Sequence, residues 1–168
     1  MAVVIDATVS GTDSNSYNTL AEFETYMLAR VANTTAAAAT DDQKNRALVQ
    51  ATRMFDLYAQ WYGTKTVSTQ ALAHPRTNLY DLSAVALSST AITQALKDAV
   101  NELAISLLTA DRQVEVDQKG VKSFGVGSLN FVFDKYDAKQ TIPAYIWHMV
   151  SHLGKRVSGG MGFEIGRG

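Results

Sequence analysis

The stretch "TDDQKNRALVQATRMFDLYAQWYG", residues 40–63, is the most regular in the chain and decides its class. Ala47, Leu48, Ala51, Met54, Phe55, Tyr58, Trp61 and Tyr62 recur mainly at spacings of three and four. That is the period of one face of an α-helix. Thr40 and Gln43 form a capping box, in which each side chain satisfies an amide that the first helical turn leaves free. Asp41 and Asp42 suit the positive end of the helix dipole. The spacing predicts a helix that Gly63 is placed to end.

Three further helices follow from the same rules. Thr19 and Glu22 make a second capping box ahead of Leu20, Phe23 and Met27, which predicts a helix over 20–31. Between the two lies an Ala/Thr connector, "VANTTAAAAT". Ile92, Ala95, Leu96, Ala99, Leu103, Ala104, Leu107 and Leu108 give a broad apolar face over 90–111, with Ser88, Ser89 and Thr90 as candidate caps. Pro143 opens a last helix whose stripe is Ile142, Tyr145, Ile146, Met149, Val150 and Leu153, with Gly154 placed to stop it.

After Asp111 the period changes to two. "VKSFGVGSLNFVF", residues 121–133, reads as a β-hairpin. Gly127-Ser128 forms the loop, Phe124 and Val126 lie on one strand, and Leu129, Phe131 and Phe133 lie on the other. The start, "MAVVIDATVS", suggests a short strand or an extended arm over 1–15. The expected fold is mainly α: a small helical bundle of about four helices with one β-hairpin and extended N- and C-terminal arms. Residues 1–153 form one domain, and 154–168 form a Gly-rich arm.

Composition narrows the function. Fifteen basic against sixteen acidic residues leave a net charge of -1, with no basic excess to hold phosphates. The chain has no cysteine, so disulfides, thiolate metal sites and Cys nucleophiles are excluded. No run reaches the ~20 apolar residues of a membrane span, and the start lacks the features of a signal peptide.

Candidate chemistry is sparse. His148 and His152 are one helical turn apart, either as a zinc pair or as a polar face, but "HMVSH" lacks the intervening Glu of a zinc-protease helix. Gly125 and Gly127 fit a hairpin better than a phosphate loop, and no GxSxG elbow occurs. Lys122, Phe124, Phe131, Phe133, Lys135 and Tyr136 read either as a single-strand platform or as a hairpin with a buried face. These residues predict no enzyme, metal or cofactor. Trp147 is placed opposite the last helix's apolar stripe, as a partner surface would be. Met161, Phe163 and Ile165 place apolar anchors on the Gly-rich arm.

One segment has no period: "LAHPRTNLYD", residues 72–81. Pro75 fixes its own φ and pushes His74 toward an extended shape. Arg76 can then offer its planar fork to backbone carbonyls, to Asp81 or to Asp56. With Trp61 and Gly63 these residues make a structural corner.

Ser16-Tyr17, Asp56, Trp61-x-Gly63 and Leu72-x-x-Pro75-Arg76 followed by Asp81, together with "ELA" at 102–104 and "SFGVGSL", resemble the head–tail connector adaptor proteins of tailed bacteriophages. The resemblance covers about residues 16–153; family members often carry Trp where this chain has His74. Some members carry the label DnaT-like single-stranded-DNA-binding protein. The resemblance implies a structural virion protein at the head–tail junction, assembled in the host cytoplasm. It implies a dodecameric ring of identical subunits under the portal, extending the channel for double-stranded DNA without reading its sequence. It also implies that the C-terminal arm, through Val157, Met161, Phe163, Ile165 and Arg167, docks on the portal. Trp147, Phe124 and Lys122 are then candidates for the subunit or tail interface. The alternative is a single-stranded-DNA-binding protein.

Overall fold

The computed structural model describes residues 2–31, 34–109, 123–126, 129–132 and 141–157. Five helices lie among them: α1 Leu20–Leu28, α2 Thr34–Ala38, α3 Asp41–Tyr58, α4 Gln94–Thr109 and α5 Ala144–Met149. Three two-stranded antiparallel sheets accompany them: β1 Ala59–Trp61 with β6 Gly154–Arg156, β2 Thr64–Lys65 with β3 Arg76–Thr77, and β4 Ser123–Val126 with β5 Leu129–Val132. The protein is mainly α, as its periodicity predicts.

Both capping boxes form as expected. The Thr19 and Thr40 hydroxyls accept from the Glu22 and Gln43 amides, and those side chains accept from the cap residues' own amides. α3 then buries Ala47, Leu48, Ala51, Met54 and Phe55 against Leu96, Ala99, Val100, Leu103 and Ala104 of α4. α1 packs on both helices, while α2 and α5 pack on α4.

Polar side chains tie the elements together. Asn18 is fully buried and donates to the Lys97 carbonyl at 2.8 Å and to Asn101 Oδ1 at 2.7 Å, fixing the entry of α1 to α4. Glu102 accepts from the Tyr26 hydroxyl at 2.9 Å and from Arg30 Nε at 2.8 Å. Such pairing is what makes a buried carboxylate on α4 tolerable.

Several boundaries differ from the sequence reading. α3 stops at Tyr58, not at Gly63; Ala59 turns extended and Trp61 lies in a strand. The apolar pattern is ambiguous there, because both a helical step from Tyr58 and a strand alternation from Ala59 place Trp61 inward. Tyr62 shows which period holds: a helix would bury it, yet it is 47% exposed. α1 ends three residues early, and part of the Ala/Thr connector forms α2. α4 begins at Gln94 because Ser88 caps a local turn at Thr90 instead of the helix. Residues 110 and 111 lie outside the described residues.

α5 is only six residues long. Ile142, Ile146, Val150 and Leu153 are buried, but Tyr145, expected on that stripe, is exposed. Gly154 does not stop a helix. It pairs with Trp61 in the β1–β6 sheet, where a Cβ would stand 2.8 Å from the Gln60 carbonyl oxygen and 2.9 Å from the Trp61 ring. Residues 154–157 therefore belong to the body, and Val157 donates its amide to the Tyr58 carbonyl at 2.9 Å.

The N-terminal segment forms no strand among its described residues. It folds back through Asn15, whose Oδ1 accepts from the Asp6 amide and whose Nδ2 donates to the Val4 carbonyl. The Val3 amide reaches Asp42 Oδ1 at 2.9 Å at the start of α3. The hairpin register pairs Phe124 with Phe131 and Val126 with Leu129, so two residues separate its strands. Lys122, the Gly127-Ser128 loop and Phe133 lie outside the described residues.

Gly154→Ala should cost about 2 kcal/mol or more, because strand and ring must both shift. Chemical denaturation of the two proteins checks this; an unchanged midpoint would show that the strand pair is not tight.

Candidate functional site

The strongest concentration of polar and aromatic groups is the corner between α3 and α4, where residues 56–77 turn back on themselves. Asp56, in the last turn of α3, is its anchor. Its Oδ1 accepts from the Tyr17 hydroxyl at 2.6 Å, and its Oδ2 accepts from the Ala73 amide at 2.9 Å. The Tyr17 hydroxyl in turn accepts from the His74 amide at 3.2 Å. One carboxylate therefore binds the segment before α1 to the loop that carries "HPR".

Arg76 closes the loop from the other side. Its Nε donates to the Tyr62 carbonyl at 2.6 Å, its Nη2 to the Gly63 carbonyl at 2.7 Å and its Nη1 to the Ala73 carbonyl at 3.2 Å. Of its three expected partners, the backbone carbonyls are the ones observed. Asp81 is instead occupied in its own turn, accepting from the Ser83 and Val85 amides. Gly63 has φ +65°, and a Cβ there would meet the Thr77 carbonyl oxygen at 2.0 Å. The peptide between His74 and Pro75 is cis.

Gln70, which the sequence reading passed over, holds the inside of the loop. It is buried, accepts from the Val67 amide, and donates to the Leu72 and Pro75 carbonyls. No spacing rule singles out such a residue, since its partners are backbone atoms of its own loop.

The aromatic groups stack behind this knot. His74 meets Trp61 edge-on at 4.6 Å between ring centres. Phe55, Trp61 and Trp147 lie 6.3 to 6.5 Å from one another. Trp147 does not stand free on a polar face, as its helical position suggests. It packs with Phe55 and Trp61, and the Arg156 guanidinium covers it at 5.6 Å. His148 lies in the last turn of α5, which ends at Met149, and His152 lies beyond it, so the two do not share a helical turn.

Burial sets the protonation states. It pushes the His74 imidazole down to about 3, with the nearby Arg76 charge adding to the effect, so His74 is neutral at pH 7. Burial raises the Tyr17 hydroxyl well above its usual range, and the Asp56 charge raises it further, so it remains a donor. Burial also raises Asp56, although the hydrogen bonds from Tyr17 and Ala73 oppose that shift. The small cavity beside Tyr17, Gln70 and His74 has a volume of about 10 Å³, the space of one water molecule. This constellation holds carboxylate, phenol and imidazole together; the hydrogen bonds of the carboxylate and the phenol are directed into the chain, while the buried His74 Nε2 has no hydrogen-bond partner among the described residues.

A family model spans all of residues 1–168. The chain belongs to the family described as "Putative DnaT-like ssDNA binding protein". No curated protein and no solved structure matches the chain. Of the residues expected on the arm, only Val157 is described, and it is exposed; Met161, Phe163, Ile165 and Arg167 lie outside the described residues. Phe124 sits in β4 by its backbone. Among the described residues no helix is long and apolar enough to cross a membrane.

Arg76→Ala should lower stability by about 2 kcal/mol, and Arg76→Lys should recover only part, since one ammonium cannot reach three divergent carbonyls. Equal stability of all three proteins in urea would contradict the structural role.

The buried His74 also predicts an acid-side weakness. Its folded pKa is depressed, so between pH 6.5 and about 3 the unfolded chain binds a proton that the folded chain refuses. Stability should then fall with falling pH by up to about 1.4 kcal/mol per unit. The raised Asp56 acts in the opposite sense, because acidification through its folded pKa favours the folded state. Denaturation curves at pH 7 and pH 4.5 should therefore differ more for the wild type than for His74→Leu; equal differences would contradict this account.

Proposed function

We propose that this protein is a structural subunit of the head–tail connector of a tailed bacteriophage, and not an enzyme. One observation carries the reading. The residues on which the resemblance rests, Tyr17, Asp56, Trp61, Gly63, Pro75 and Arg76, hold one corner of the fold and direct their polar atoms into the chain. A motif of that kind preserves a shape. Shape is what an assembly subunit must supply, because a ring repeats one heterologous contact at every interface.

In this proposal identical subunits form a dodecameric ring beneath the portal, in the virion, after assembly in the host cytoplasm. Double-stranded DNA passes through the lumen without sequence-specific contacts, which suits a chain of net charge -1. The arm beyond Val157, with Met161, Phe163, Ile165 and Arg167, docks on the portal. The opposite side receives the tail or the next connector, and Phe124 and Lys122 are the candidates for that or for the subunit contact, Trp147 being packed against Phe55 and Trp61.

The second reading is single-stranded-DNA binding. The family description favours it, since it names that activity and no connector. The chain's charge weighs against it, because affinity for a phosphate backbone comes from clustered cations.

Electron microscopy of particles from producing cells, with this chain tagged, tests the first reading. The expected result is density for the tag at the head–tail junction, in a ring. A chain absent from particles, but binding single strands with affinity that falls steeply as salt rises, would overturn it in favour of the second.

A further inference from the structure

α3 carries a groove on its outer side. It has a volume of about 400 Å³ and is lined by Val3, Val49 and Leu57 among its apolar groups and by Arg46, Gln50 and Arg53 among its polar ones. Leu57 is 65% exposed there. Arg46 pairs with Asp42, whereas Arg53 has no carboxylate partner among the described residues. The groove thus combines an apolar floor with a cationic wall, and a ligand matching it carries apolar side chains and an acid.

The chain holds such a segment. Residues 161–165 read Met-Gly-Phe-Glu-Ile, and Glu164 is the only acid after Asp137. The segment also starts in the right place. Val157, the last described residue, donates its amide to the Tyr58 carbonyl at the end of α3, beside Leu57 in sequence. From Leu57 to Arg46 the helix axis covers about 16 Å. The seven residues from Val157 to Glu164 span up to about 23 Å when extended, so the acid can reach Arg53 or Arg46 with chain to spare.

We infer that the C-terminal segment Met161–Ile165 binds in the α3 groove of its own chain, with Glu164 against Arg53 and the apolar residues over Val49 and Leu57. A tether this short gives an effective concentration in the millimolar range, which favours the chain's own groove over a neighbour's. The inference stands independently of the connector reading. If that reading also holds, the segment must leave the groove to meet the portal, so docking competes with an intramolecular partner.

The absence of cysteine makes the test direct. The full chain carrying Gln50→Cys and Gly162→Cys is oxidised at low concentration, and disulfide formation is followed by intact mass and non-reducing gel. A second pair, Leu57→Cys with Gly162→Cys, repeats the test at an exposed groove position. Leu82→Cys with Gly162→Cys, at an exposed position outside the groove, is the reference.

The expected result is an intramolecular disulfide in both groove pairs, forming at least tenfold faster than in the reference. Arg53→Glu should slow it, and adding Glu164→Arg in the same chain should restore it. Equal rates in groove and reference pairs, or cross-links only between chains, would overturn the inference. Failure of the charge swap to restore the rate would overturn the Glu164–Arg53 contact.

Discussion

The Asp56 carboxylate is the constraint on which the rest of the structure depends. It stands where α3 ends, and it takes a phenolic hydrogen from Tyr17 and an amide hydrogen from Ala73. Three stretches far apart in sequence meet at one carboxylate, and charge-assisted hydrogen bonds to a partly buried acceptor are stronger than neutral ones. The long connection between α3 and α4 has little regular structure with which to hold itself. Asp56 and Arg76 do so from opposite ends, and Gln70 fills the inside. Breaking the carboxylate's contacts would leave the Tyr17 hydroxyl and a backbone amide without partners, which costs more than the bonds themselves contribute.

How much of this was legible depends on the kind of signal. The helices of the core were, because burial of one face imposes its period on the chain. The helix starts were sharper than the ends, since a capping box is a local pair of side chains, whereas α3 ends where a distant strand pairs with it. Trp61 illustrates the limit: a helical and an extended backbone both place it inside, and only Gly154, more than ninety residues later, makes the strand possible. Tyr145 and Trp147 were misplaced for a different reason. Their helix is too short for the period to apply beyond a turn or so.

At the candidate site, the residue types were legible but their partners were not. Arg76 is a planar donor beside a fixed proline, which points to a structural fork. That it holds Tyr62, Gly63 and Ala73, and leaves Asp81 to its own turn, depends on how the loop closes. The role of His74 depends on its position against Trp61, where a neutral imidazole serves as a flat packing group. The corner is accordingly a part of the scaffold.

The claim underlying this account is that Tyr17 and Asp56 act as one unit. A double-mutant cycle with Tyr17→Phe and Asp56→Asn, measured by urea denaturation at pH 7, tests it most directly. The account predicts that the two substitutions couple by about 1–3 kcal/mol, the double variant being less destabilised than the sum of the single ones. Simple additivity would contradict it: the hydroxyl and the carboxylate would then contribute independently, and the corner would be held by packing alone.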